Sequence, residues 1–324
     1  ILKDIEGHFR KRGIKMPPDN KRQAYIPEGT IAIKNPVGTA PASIIDYGGK
    51  TIIALPGPPR ELIPIFEGSI IPYLEKIYQT HSVIFTRTIR TTGSPESAVN
   101  RATKKFLMMD GPVKAGIYAS PGEVDIKITA KSKNTKMALS NIKNVEGQIV
   151  RLLGNIVYGF DYESLESVVG KLLLKNNLTV ATAESCTGGL IANRITNIPG
   201  SSKYFHEGII TYSNESKVRE LGVSVDLIRK YGAVSRPVAI AMAVGMKEKS
   251  GSDFAISVTG IAGPGGGTTA KPVGLVYIAL AGRRKTVCLE RHFLGNRLDI
   301  KLQASTAALD MLRKALGSDP EHRS

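Results

Sequence analysis

Hydrophobic positions recur along the chain with two periods, and the switches between them predict its elements. Residues 1–12 carry apolar side chains at helical spacing and predict the tail of an amphipathic helix. Residues 42–47 and 51–55 alternate about Gly48-Gly49 and predict a β-hairpin. Pro58 and Pro59 suit the first turn of a helix over 60–66. Too few strands precede that helix to cover it, so residues 1–75 are expected to be part of an α/β unit whose remainder lies upstream.

The texture then changes. Residues 83–91 alternate as a strand, 94–107 read as a helix, 113–119 and 123–130 as a strand pair, and 136–153 as a closing helix. That is a small α+β module over 82–158. Residues 162–318 look self-sufficient: helices over 163–176, 188–197, 215–221, 235–249 and 297–316 interleave with strands at 178–183, 208–213 and 254–259 and a hairpin, 273–281 with 286–293. Ser235 is expected to cap its helix, with Pro237 in the first turn, and Asn176-Asn177 to end theirs. Strands alternating with helices predict a layered α/β/α domain. The whole is an α/β protein: a truncated α/β first domain, the α+β module, and the layered last domain.

Length agrees, since 324 residues at roughly 100–200 per domain predict two or three cores. Composition is ordinary for a globular chain, 42% hydrophobic and 22% charged. No apolar run is long enough to span a bilayer, and no signal peptide is recognisable at the start. With only Cys186 and Cys288, no disulfide framework or four-thiolate zinc site can form. A soluble, reduced, cytoplasmic protein is expected. The net charge of +16 favours anionic partners, phosphate-bearing small molecules first. Because the basic residues are scattered, nucleic acid is not the expected partner.

The candidate chemistry lies in the last domain. In Thr182-Ala-Glu-Ser-Cys-Thr-Gly-Gly189 a buried strand stops and a helix starts within four residues. Backbone N–H groups there lack helical partners and suit a phosphate or an oxyanion. Ser185 would stand at the strand's end as a nucleophile; equally, Ser185 or Thr187 is simply the helix cap. Cys186 competes for the nucleophile's role but reads as a small core residue, as does Cys288.

A hydroxyl needs a base. Of five histidines (His8, His81, His206, His292, His322), none sits in a recognisable catalytic or metal-binding setting. The better candidate is Lys217, in the first turn of the helix that follows Thr211-Tyr212-Ser213-Asn214. The helix dipole and burial would both lower its pKa, leaving a neutral amine as base, with Tyr212 orienting or relaying the proton. A solvated lysine beside Glu215 is the plainer alternative. A glycine-rich corner, Ser257-Val-Thr259-Gly-Ile-Ala-Gly-Pro264-Gly-Gly-Gly267, follows another strand and should open at the same sheet edge. It lacks both the P-loop ending and the G-x-G-x-x-G spacing. Arg297 opens the final helix, where it can pair with a phosphate.

Together these segments, with Gly232-Ala-Val-Ser235 and Lys271-Pro-Val-Gly274, resemble the C-terminal, nicotinamide mononucleotide deamidase domain of the CinA (competence/damage-inducible) family. The resemblance implies amide hydrolysis of that mononucleotide to nicotinic acid mononucleotide and ammonia, without a cofactor. It implies Ser185 as nucleophile, Lys217 as base and Tyr212 as assistant. Thr187, Gly188, Gly189, Thr259, Gly260, Gly263 and Arg297 would then contact substrate or oxyanion, and a homo-oligomer, a dimer first, is expected.

Upstream, Asn35-Pro-Val-Gly-Thr-Ala-Pro41 and Leu55-Pro-Gly-Pro-Pro59 resemble the second half of the family's molybdopterin-binding-like domain, and 82–158 its KH-like module. The first domain is associated with divalent-metal-dependent ADP-ribose pyrophosphatase activity, so a metal is expected only if that domain is active. A nucleic-acid-binding accessory role is the remaining alternative, but 82–158 contain no Gly-x-x-Gly clamp.

Overall fold

The computed structural model describes residues 1–78 and 82–318. It divides into two compact units, Ile1–His81 and Ser82–Ser324.

The first unit opens with α1 (Leu2–Lys11) and a 3₁₀ segment, Pro18–Ala24. Three antiparallel strands follow, β1 (Ile31–Ile33), β2 (Ala42–Tyr47) and β3 (Lys50–Ala54). β2 and β3 meet at Tyr47 and Lys50, so Gly48-Gly49 form the two-residue turn, both at positive φ as such a turn demands. Asn35 builds the preceding corner: its Oδ1 accepts the amides of Val37 and Gly38, and its Nδ2 donates to the Ala40 carbonyl and Glu61. The helix over 60–66 is longer than its pattern predicts. After α2 (Pro59–Ile65) the chain makes a π-helical turn, Phe66–Ile70, and continues as α3 (Ile71–Tyr78). Pro64 and Pro72 lack amide hydrogens, which obscures that continuity in the sequence.

The second unit begins with a four-stranded antiparallel sheet ordered β5-β6-β4-β7, where β4 is Val83–Thr92, β5 Val113–Ser120, β6 Glu123–Ser132 and β7 Val157–Phe160. Two helices, α4 (Glu96–Leu107) and α5 (Thr135–Leu153), bury Val99, Phe106, Ile142 and Ile149 against Ile89, Ile126 and Ile128 of that sheet.

The rest is three layers. Its sheet runs β12-β11-β10-β8-β9, built from β8 (Val180–Glu184), β9 (Phe205–Ile210), β10 (Phe254–Gly260), β11 (Leu275–Ala281) and β12 (Thr286–His292). β8 is parallel to β9 and to β10, while β11 and β12 are antiparallel additions. Strand alternation sorts the core: Phe254, Ile256 and Val258 face α6 (Leu165–Lys175), α7 (Leu190–Thr196) and α11 (Arg297–Ser318). Ala255, Ala181 and Ala183 face α8 (Asn214–Leu221), α9 (Val225–Tyr231) and α10 (Arg236–Ser250). β9 starts three residues earlier than its pattern predicts, and α9 was not expected. Ser235 stands at the start of α10, but its hydroxyl donates to the Gly232 carbonyl and makes no cap. No helix among the described residues is long and apolar enough to cross a membrane.

Candidate active site

The carboxyl ends of β8, β9 and β10 converge, the position where open parallel sheets bind ligands. Register sets the neighbours: Glu184 pairs with Val258 on one side and Ile210 on the other. One residue further on, the Ser185 amide donates to the Val258 carbonyl (2.9 Å) and the Thr211 amide to the Glu184 carbonyl (2.8 Å). Ser185 is thereby presented just beyond the last ladder bond. The chain then turns through Gly188 (φ +63°) and Gly189 (φ +92°) into α7. Left-handed backbone favours glycine, and a Cβ on Gly189 would also lie 3.0 Å from the Ile210 side chain.

The Lys217 segment is placed by its own cap. Ser213 Oγ accepts the Ser216 amide (3.1 Å) and starts α8, which brings Lys217 round beneath the sheet edge. Lys217 is 1% exposed. Its Nζ lies 3.1 Å from Ser185 Oγ, 2.8 Å from the Thr211 carbonyl oxygen, and 3.4 and 3.5 Å from those of Tyr212 and Ser213. Burial pulls its pKa below the ordinary lysine value; the neighbouring Cys186 and Glu215 oppose that shift more weakly. A neutral amine has two hydrogens and one lone pair. Two carbonyls take the hydrogens and the lone pair can accept the Ser185 proton.

A cavity of about 260 Å³ opens over this pair. Of the residues singled out in the sequence, Ser185, Tyr212, Lys217, Thr259, Gly260, Gly263 and Arg297 line it. Arg297 donates to the Gly263 carbonyl (2.7 Å) and the Tyr212 hydroxyl (2.7 Å), tying three segments together at the wall. Tyr212 meets Lys217 through its main-chain carbonyl (3.4 Å), and its hydroxyl accepts from Arg297 while keeping its own hydrogen to donate. Thr259 is 1% exposed, and its hydroxyl donates to the Ala233 carbonyl (3.0 Å).

Thr187, Gly188 and Gly189 are not among the lining residues. The expectation that the amides of 186–189 face a ligand is corrected at two positions. The Gly188 amide donates to the Ser185 carbonyl (3.0 Å), and the Gly189 amide to Glu184 Oε2 (3.0 Å). The amides of Cys186 and Thr187 donate to no main-chain acceptor among the described residues, and the Cys186 amide lies against its own thiol. Thr187 itself is fully buried, its hydroxyl without a partner and not capping the helix.

Cys186 also touches the cavity, but burial pushes its thiol up to about 12, which makes it a poor nucleophile. Burial raises the Cys288 thiol likewise. His206 and His292 are exposed and outside the cavity, and His8 lies in the first unit; His81 and His322 lie outside the described residues. Among the described residues no group of three or more His, Cys, Asp and Glu side chains could hold a metal ion. The sequence did not point to Asn214, Ala233 and Val234 as wall residues, because only the closure of α8 and α10 brings them there.

Two family models match this chain: the CinA C-terminal domain over residues 162–316, and the KH domain of damage-inducible protein CinA over 86–159. A protein of Caldicellulosiruptor saccharolyticus that carries the competence-damage inducible name is 47% identical over 316 residues, 98% of this chain and 76% of that one. A CinA-like protein of Kosmotoga olearia is 46% identical over 316 residues, 97% of this chain and 76% of that one. The crystal structure of competence/damage inducible protein CihA from Agrobacterium tumefaciens is 40% identical, covering 49% of this chain and 99% of its own, with a TM-score of 0.46. The family models and these two relatives define an α/β protein of the competence/damage-inducible class. The chain belongs to the CinA family.

Proposed function

We propose that this protein is an amidohydrolase that converts nicotinamide mononucleotide to nicotinic acid mononucleotide and ammonia, with Ser185 as nucleophile and Lys217 as its base. The observation that carries the reading is the 3.1 Å approach of a buried lysine amine to a serine hydroxyl at the wall of a cavity. Lys217 takes the Ser185 proton as Oγ attacks the carboxamide carbon, forming the C–O bond and moving the carbonyl electron pair onto oxygen. The amides of Cys186 and Thr187 are the candidate donors for that oxyanion, a contribution of about 3–4 kcal/mol per donor where such a hole operates. Collapse breaks the C–N bond, and the Lys217 ammonium returns its proton to the departing nitrogen, which leaves as ammonia. Water, deprotonated by the same amine, then attacks the acyl-enzyme, and Ser185 regains its proton.

Arg297 supports the choice of a phosphate-bearing substrate, since a guanidinium fixed at the wall can pair with a phosphate. The family resemblance supplies the particular mononucleotide. The test is ammonia release from nicotinamide mononucleotide by the purified chain and by Ser185→Ala. Release by the first and none by the second is expected; an equally fast Ser185→Ala variant refutes the nucleophile.

A further inference from the structure

Glu184 immediately precedes the proposed nucleophile, yet it does not line the cavity. It is 1% exposed at the end of β8. Its Oε2 accepts the amides of Gly189 (3.0 Å) and Ile191 (3.1 Å), and its Oε1 accepts the amide of Ala192 (2.8 Å). No basic side chain bonds to it among the described residues. A buried carboxylate without a cation must be fully hydrogen-bonded to be tolerated, and these three amides meet that need.

The arrangement reaches the dyad by two routes. Through its side chain, Glu184 clamps the far end of the turn that starts at Ser185. That turn contains two consecutive left-handed glycines, which have little intrinsic preference for one geometry. Through its carbonyl, Glu184 accepts the Thr211 amide (2.8 Å), and the Thr211 carbonyl in turn accepts Lys217 Nζ (2.8 Å). One residue is therefore linked to both halves of the pair, to Ser185 along the chain and to Lys217 through Thr211. With the Gly189 amide captured, Cys186 and Thr187 carry the turn's amides that have no main-chain acceptor among the described residues.

We infer that Glu184 is a positioning residue for catalysis: its carboxylate holds the nucleophile turn at the geometry in which Ser185 meets Lys217. This rests on the reading of Ser185 as nucleophile. A displacement of about 1 Å at a reacting group can lower a rate by about 100-fold. Glu184→Gln keeps the side chain's size but replaces one accepting oxygen by an NH₂, which cannot accept from a backbone amide. At least one of the three clamp bonds is then lost.

The experiment measures kcat and KM for ammonia release from nicotinamide mononucleotide by the full chain. Each preparation is normalised to the fraction of Ser185 that a fluorophosphonate labels to completion, so that a loss of folded protein does not count as a loss of rate. For Glu184→Gln the expected result is kcat per labelled serine down by about 100-fold, slower labelling, and KM within about twofold. Glu184→Asp retains a carboxylate that still reaches part of the clamp and should fall between wild type and Gln. If Glu184→Gln does not fold, the Asp variant decides, with a loss of tenfold or more at unchanged KM expected. Wild-type kcat per labelled serine in the folded variants overturns the positioning role while leaving the nucleophile standing. A wild-type chain that neither labels at Ser185 nor releases ammonia overturns the parent reading, and the positioning role with it.

Discussion

Lys217→Met removes an amine while keeping a side chain of similar length, and its consequences divide into one for rate and one for stability. For rate, general-base catalysis is worth about 10²–10⁴-fold, and Lys217 is the one side-chain amine or carboxylate bonded to Ser185 among the described residues, so ammonia release should fall by about 10³-fold. For stability, burial sets Lys217 below its unfolded value of 10.5. Between the lowered folded pKa and 10.5 the unfolded chain binds one more proton than the native one, so stability contributed by this group rises with pH. Below the folded pKa both states carry the proton, and the native state bears the full burden of a buried ammonium. The slope is at most about 1.4 kcal/mol per pH unit for a single proton. Methionine abolishes that linkage. It also leaves the Thr211 carbonyl without its donor, a loss of about 1–3 kcal/mol that does not depend on pH. The offset at neutral pH therefore mixes two terms, but the slope reports one. Urea unfolding of both proteins at several pH values from 7 to 10 should show wild type gaining on Lys217→Met as pH rises. Parallel curves, or wild type losing ground, would refute a depressed Lys217 pKa and with it the neutral amine that the mechanism needs.

Two further outcomes test the surroundings of the site. With its thiol pushed up to about 12, Cys186 should resist iodoacetamide in the native protein at pH 8 and react at an ordinary thiol rate once unfolded, as mass spectrometry of the peptide would show; rapid native alkylation would contradict the burial assigned to it. Gly245→Ala in α10 should destabilise the protein by about 1–3 kcal/mol, because a Cβ there would stand 2.0 Å from the Leu221 carbonyl oxygen of α8. An exposed helix glycine would instead gain about 1 kcal/mol on the same change, so the sign of the shift in denaturation midpoint decides the matter.

Local pattern carried most of the elements, because alternation and helical spacing are properties of neighbouring residues. The hairpin at Gly48-Gly49, the strands β4, β5 and β6, and the helix opening at Arg297 all follow from spacing and turn chemistry, whereas β7 carries too short a pattern to be read. Where short-range signals conflict, the sequence misled: proline inside 59–78 hid one long helical stretch, and Ser235 looked like a cap although its hydroxyl turns back to Gly232. Ser185 and Lys217 were legible as candidates, each from its own strand-to-helix corner. That they lie 3.1 Å apart was not, since 32 residues separate them and only the parallel pairing of β8 with β9 joins their corners. The amides of Gly188 and Gly189 pointed to a ligand because a helix start leaves donors unpaired, and the fold gave those donors to Ser185 and Glu184 instead. Which groups are candidates for chemistry is written in residue types. Which remain available for it depends on long-range hydrogen bonds and burial, and those exist only once the sheet has assembled.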